Sequence, residues 1–163
     1  MKAILAGALG AIAIQPLLFG LWFLLPGELL TQFPLTAQWV VLLLLYALLV
    51  AVALVFILGV PAFLALRRIN RANWRWVAVV GLLIGAVSAG AVTWPTGHSG
   101  YTSGGSWFGR DVSFYVDGVP TIYGWLSYFQ GVLIFGIHGL VGGLVFYYVW
   151  RRESGGHHPV LPN

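Results

Sequence analysis

The sequence predicts an all-α membrane protein, a four-transmembrane-helix bundle with a small extracytoplasmic β-hairpin between helices 3 and 4. Of its 163 residues, 60% are hydrophobic and only 7% are charged, a balance that is typical of a chain folded in lipid. Four apolar stretches also meet or approach the ~20 residues that cross a ~30 Å hydrocarbon core. The predicted spans are residues 3–25, 39–66, 77–93 and 129–150.

The distribution of basic residues predicts the orientation of these spans. Every Lys and Arg except Arg110 falls on one side if both termini and the second connection are cytoplasmic. Because cytoplasmic loops carry an excess of Lys and Arg, we expect an N-in, C-in topology. Residues 1–152 then form one membrane domain, and the Gly- and His-containing tail, residues 153–163, is expected to be disordered in the cytoplasm.

Two prolines are expected to disturb the first two spans. Pro16 follows Gln15 near the middle of the first span and removes one backbone hydrogen bond there. The second span is longer than the hydrocarbon core requires. Pro61, which follows Gly59 closely, is the predicted kink point.

Small residues recur at four-residue spacing in three of the spans, a pattern that lets helix backbones approach closely. This pattern predicts packing within the bundle; a homo-oligomer formed through the same faces is the alternative. The residues concerned are Ala3, Gly7 and Ala11; Gly81, Gly85 and Ala89; and Gly139 and Gly143.

The segment between the third and fourth spans, residues 94–128, is the one sizeable extramembrane region of the sequence. Residues 112–116 and 119–123 are β-prone, and Asp117-Gly118 between them is a strong two-residue hairpin signal. Pro120 restricts its strand to a sheet edge.

Aromatic residues in this outer region are candidates for docking a protein partner, because aromatic side chains dominate interface hot spots. The candidates are Phe108, Tyr115, Tyr123 and Trp125.

His138 and Gln15 are expected at similar depths near the bilayer centre. Polar groups in hydrocarbon are costly unless they are paired, so we expect the two side chains to face the bundle interior and to bond each other or a buried water. A proton-relay or ligand role for His138 is the alternative, although the predicted spans contain no acidic residue.

The connection between the second and third spans carries four arginines, and three of them would share one face if it were helical. Their positive charge fixes topology and attracts anionic lipid headgroups at ~1 kcal/mol per residue. We therefore interpret the basic balance of the chain as a membrane signal and expect no binding of nucleic acid. The four arginines are Arg67, Arg68, Arg71 and Arg75.

Catalysis and metal binding have weak support in the sequence. The outer region contains His98 with several Ser and Asp residues, but the Gly-x-Ser-x-Gly nucleophile elbow of serine hydrolases is absent. The chain has no cysteine, and His157-His158 lacks the second ligand cluster that a zinc site needs. We expect no enzymatic activity, no metal and no cofactor.

The layout resembles that of many small bacterial inner-membrane proteins. Gly59-Val60-Pro61 precedes Leu66-Arg67-Arg68, and Trp74 and Trp76 lie just before the third span. This resemblance implies the bacterial cytoplasmic membrane and no particular activity. Two functions remain open. The first is an accessory module whose outer loop docks a larger membrane complex or, as in colicin-type immunity proteins of similar span count, a toxin. The alternative is a small transporter or channel using the polar midplane.

Overall fold

The computed structural model describes residues 1–24 and 37–155, and shows a helical bundle that carries a three-stranded antiparallel sheet at one end. The helices are α1 (Lys2–Leu24), α2 (Ala37–Leu54), α3 (Val60–Arg68), α4 (Trp74–Val92) and α5 (Ile122–Gly155), and a π-helical turn, Val55–Gly59, joins α2 to α3. The strands are β1 (Ser103–Trp107), β2 (Arg110–Val116) and β3 (Val119–Pro120). The predicted first connection and most of the predicted tail, residues 25–36 and 156–163, lie outside the described residues.

Within the described residues, four helical segments are long and apolar enough to cross a membrane, as the sequence predicts. Three of them are a few residues displaced from the predicted spans. The fourth differs more: α5 begins at Ile122 rather than at residue 129 and continues to Gly155. Residues 153–155, expected in a disordered tail, are therefore helical.

The second span accommodates Pro61 by a wider helical turn. The Val60 amide donates to the Val55 carbonyl, an i to i+5 bond that defines the π turn, and Pro61 then lies in the first turn of α3. Proline is tolerated there because the first amides of a helix need no internal acceptor. The span continues as helix to Arg68.

Glycines bring α4 and α5 into backbone contact, which is the intramolecular packing that the sequence predicts. A Cβ at Gly81 would collide with the Gly139 carbonyl, and a Cβ at Gly85 with the Phe135 carbonyl. Gly143 likewise lies 2.7 Å, measured from an ideal Cβ, from the Val77 carbonyl oxygen. These glycine faces are therefore occupied within one chain.

The buried core lies at the end of the bundle opposite the sheet. Phe63 of α3 contacts Phe146 and Trp150 of α5 edge to face, at centroid distances of 4.7 and 4.9 Å. Gly7 of α1 packs on the same turns of α5, and Arg67 lies 5.8 Å from the Trp150 ring. The start of α1, the end of α3 and the end of α5 thus meet at one end of the bundle, which we call the arginine end; the other is the sheet end.

Candidate functional site

Gln15 of α1 and His138 of α5 meet between apolar helices. The Oε1 atom of Gln15 lies 2.9 Å from Nδ1 of His138, and both side chains are half-buried. The structure therefore places these two predicted site residues in direct contact, although they are separated by most of the sequence.

The remaining bonds of Gln15 define the donor in this contact. Its amide nitrogen Nε2 donates to the carbonyl of Ala11 at 3.2 Å and to the carbonyl of His138 at 3.4 Å. Carbonyl oxygens only accept, so the amide nitrogen has to face them, and Oε1 is left facing the imidazole. We assign the proton to Nδ1 of His138, which donates to Gln15.

A glycine on α5 makes room for this arrangement. A Cβ at Gly142 would lie 2.9 Å from Nε2 of Gln15, closer than ordinary packing allows. Gly142 therefore leaves room for the Gln15 amide, and the three residues form one helix contact.

The sheet is attached to the start of α5 by Thr121. Its backbone amide donates to the Phe114 carbonyl at 2.9 Å, and its hydroxyl donates to the Ser113 carbonyl. The same hydroxyl accepts the Gly124 amide at 3.2 Å, which is the N-cap bond of a helix start. This cap explains why α5 begins seven residues earlier than the apolar run predicts.

The Asp117-Gly118 turn is present as the sequence predicts, with φ of 50° and 76°, as a two-residue hairpin between β2 and β3 requires. Its carboxylate Oδ1 accepts the Gly100 amide at 2.6 Å. Gly118 is packed so closely on the His98 carbonyl that a Cβ would collide with it. Asp117 thus holds the preceding loop to the turn.

Two parts of the predicted hairpin differ in the structure. The return strand β3 comprises only Val119–Pro120, because Ile122 and Tyr123 already belong to α5. Pro120 lies on the edge strand of the sheet, as expected. A third strand, β1, pairs with β2 on its other side, where no strand is predicted from the sequence.

The four aromatic candidates do not form one exposed patch. Tyr123 contacts Trp107 at 5.6 Å between ring centroids, and Trp125 packs edge to face on Trp94 at 5.7 Å. Tyr115 is half-buried beside Tyr101 at 5.5 Å. Phe108, in contrast, is 73% exposed.

The two faces of the sheet differ in chemistry. Trp107 of β1 reaches α5, where its Nε1 donates to Oε1 of Gln130 at 3.1 Å, so its side of the sheet faces the helix. Alternation along the strands places a different set on the opposite side. We call this set the open face, and its members are Gly104, Ser106, Asp111 and Ser113; a bulge interrupts the alternation beyond them.

The open face is mostly exposed and polar. Gly104, Asp111 and Ser113 are exposed, and the half-buried Tyr115 lies beyond the bulge, next to the exposed Tyr101. Ser, Gly and Tyr are the residues that antibody binding loops favour, because they combine adaptable hydrogen bonds with rigid aromatic area. Tyr101 and Ser106 are binding candidates that the search for aromatic anchors missed; alternation along β1 would have indicated Ser106 had that strand been predicted.

The four arginines of the second connection are all exposed at the arginine end. The connection is not one helix, because α3 ends at Arg68 and Asn70 adopts a positive φ of 56°. The condition for a shared face of Arg68, Arg71 and Arg75, one continuous helix, is therefore not met. Arg71 and Arg75 instead lie over the rings of Trp76 and Trp74, 5.2 and 5.4 Å from the centroids.

Comparison of the chain with protein-family models, with curated proteins and with solved structures finds no match. Within residues 1–24 and 37–155, no group of three His, Asp or Glu side chains is placed to hold a metal ion. The fold of the described residues is a small helical bundle with four segments long and apolar enough to cross a membrane and with an attached antiparallel sheet.

Proposed function

We propose that the protein is a non-enzymatic accessory module of the bacterial cytoplasmic membrane that binds a protein partner through the open face of its sheet. The bundle supplies four segments fit to cross the bilayer. The concentration of Lys and Arg at one end favours a cytoplasmic position for that end, which would present the sheet outside.

The observation that carries this proposal is the fixed attachment of a small sheet whose polar side, with Tyr101 and Tyr115 at its margin, is left uncovered by α5. Thr121 and Trp107 attach the sheet to α5, and Gly118 packs on the loop that precedes the sheet. A surface held in one conformation loses little entropy on binding, which favours affinity. The partner would be a subunit of a larger membrane complex or a toxin arriving from the outside.

A transporter or channel is the second candidate, and the observation behind it is the polar contact between Gln15 and His138. Proton pathways through membranes use ionisable groups of this kind. Both polar atoms of the Gln15 amide, however, are bonded within the bundle, which favours a packing role.

Site-specific photocrosslinking in native membranes tests the docking proposal. A crosslinking residue at Ser113 should give one adduct of defined mass. The matched control is Ser154, an exposed serine at the arginine end of α5, which should not give that adduct. Tyr115→Ala should weaken the product at Ser113. Absence of a protein adduct at Ser113, or equal adducts at both serines, would contradict the proposal.

A further inference from the structure

The turn between β1 and β2 exposes a large apolar side chain in an unfavourable backbone conformation. Phe108 and Gly109 have φ of 50° and 76°, the positive values of a two-residue hairpin turn. Asn, Asp or Gly is favoured at the first position of such a turn, whereas a bulky residue is rare there. Phe108 is nevertheless 73% exposed, with its ring edge to face against Trp107.

The depth of this turn along the bundle is set by Trp107. Its indole bonds Gln130 and packs on Tyr123, so the turn lies beside this part of α5. From Gln130 to Arg151 the helix advances about 31 Å at ~1.5 Å per residue, which matches the ~30 Å thickness of the hydrocarbon core. With Arg151 at one headgroup layer, Gln130 and the turn lie at the other.

The exposed surface of α5 supports this position for the membrane boundary. Large apolar side chains are exposed between these two levels, among them Leu133 at 62% and Ile137 at 41%. Exposed polar residues lie on either side, with Ser127 before Gln130 and Arg151 at the far end. The apolar surface suited to acyl chains thus covers this whole interval and continues past Gln130 to Phe129 and Leu126, so the turn is attached near its margin at the sheet end.

The residues of the turn have the chemistry of a membrane interface. Trp is enriched where the headgroups begin, and an apolar ring there enters the acyl boundary. Arg110, the first residue of β2, is exposed and carries a guanidinium that fits a phosphate with two parallel hydrogen bonds.

We propose that the Trp107–Arg110 turn is a lipid anchor, with Phe108 inserted at the acyl boundary of a phospholipid bilayer and Arg110 bound to a lipid phosphate. The anchor fixes the sheet against the membrane surface and leaves the open face directed away from α5. It requires that the bundle spans the bilayer, as in the proposed function, but it does not require a protein partner.

Single-cysteine probes test the anchor in purified protein, because the chain has no native cysteine. Phe108→Cys, Arg110→Cys and the open-face control Ser113→Cys are labelled with an environment-sensitive fluorophore and reconstituted into vesicles of phosphatidylcholine and phosphatidylglycerol. Probes at 108 and 110 should be quenched by spin-labelled lipid and should be several-fold less quenched by aqueous iodide than the probe at 113. The Arg110 probe keeps Phe108 in place and therefore reports on the anchor even if the cysteine at 108 removes it.

A second variant separates insertion from turn stability. Phe108→Asn supplies the residue that the turn conformation favours, so the hairpin should be retained. In this background, iodide quenching of the probe at 110 should rise toward that at 113. Equal iodide quenching at 108, 110 and 113 in vesicles would overturn the proposal. So would shielding that appears only in native membranes or only at high protein density, because a protein would then cover the turn.

Discussion

Removing the imidazole of His138 should destabilise the bundle by an amount that the observed contacts define. His138→Leu deletes the 2.9 Å bond to Oε1 of Gln15 and leaves that oxygen without its donor. The bonds from Gln15 Nε2 to the Ala11 and His138 carbonyls use backbone acceptors and can remain. The polar contact to Gln15 is lost, and such contacts between membrane helices are worth about 0.6 to 2 kcal/mol.

A double-mutant cycle isolates this contact from the loss of packing. Gln15→Met, His138→Leu and the double variant are compared with the wild type by reversible unfolding in mixed detergent micelles. We expect a coupling energy of about 0.6 to 1.7 kcal/mol. Gln15→Met alone should cost more than the coupling, since it also removes the two carbonyl bonds.

His138→Asn is the matched control, because its amide nitrogen occupies nearly the position of Nδ1 and can still donate to Gln15. It should retain more stability than His138→Leu. A coupling energy near zero, or equal losses for the Asn and Leu variants, would refute the assigned hydrogen bond.

The remaining predictions concern glycines and transport. Gly139→Ala should destabilise the bundle by at least 1 kcal/mol, in the range of overpacking, because its Cβ would collide with the Gly81 carbonyl. Gly131→Ala, with open space around it, should be neutral or stabilising. Equal melting temperatures for the two variants would contradict the α4–α5 packing. Gly118→Ala should increase proteolysis of the sheet more than Gly100→Ala does. Both glycines have positive φ, but only Gly118 faces a backbone carbonyl, that of His98. Identical cleavage rates in limited proteolysis would show that the contact between Gly118 and His98 is unimportant. Proteoliposomes of the wild type should show no proton flux above that of empty vesicles. A flux that is present in the wild type and is abolished by both His138→Asn and His138→Leu, without loss of stability, would instead favour the transport hypothesis.

The sequence predicted the features that depend on local chemistry or on apolar length. Four spans follow from runs of apolar residues, and the Asp117-Gly118 turn follows from two residues that tolerate positive φ. The proximity of Gln15 and His138 was predictable because both lie near the middle of a span and neither is stable in lipid alone.

Features that depend on tertiary contacts were not predictable in the same way. Strand β1 reads Ser-Gly-Gly-Ser-Trp, which has low β propensity, and it forms because β2 supplies the pairing partner. The π turn before Pro61 and the early start of α5 at Ile122 likewise depend on backbone contacts that hydropathy does not record. Phe108 was identified as an aromatic candidate, but only the position of Trp107 on Gln130 indicates its depth.

The central claim is that the bundle crosses a bilayer with the sheet end and the arginine end on opposite sides, since both the docking face and the lipid anchor depend on it. Labelling with a membrane-impermeant thiol reagent tests this directly, using Ser113→Cys and Ser154→Cys in intact cells that express the protein. We predict that the cysteine at 113 is labelled in intact cells and the cysteine at 154 only after permeabilisation. Labelling of both before permeabilisation, or of 154 alone, would contradict the account.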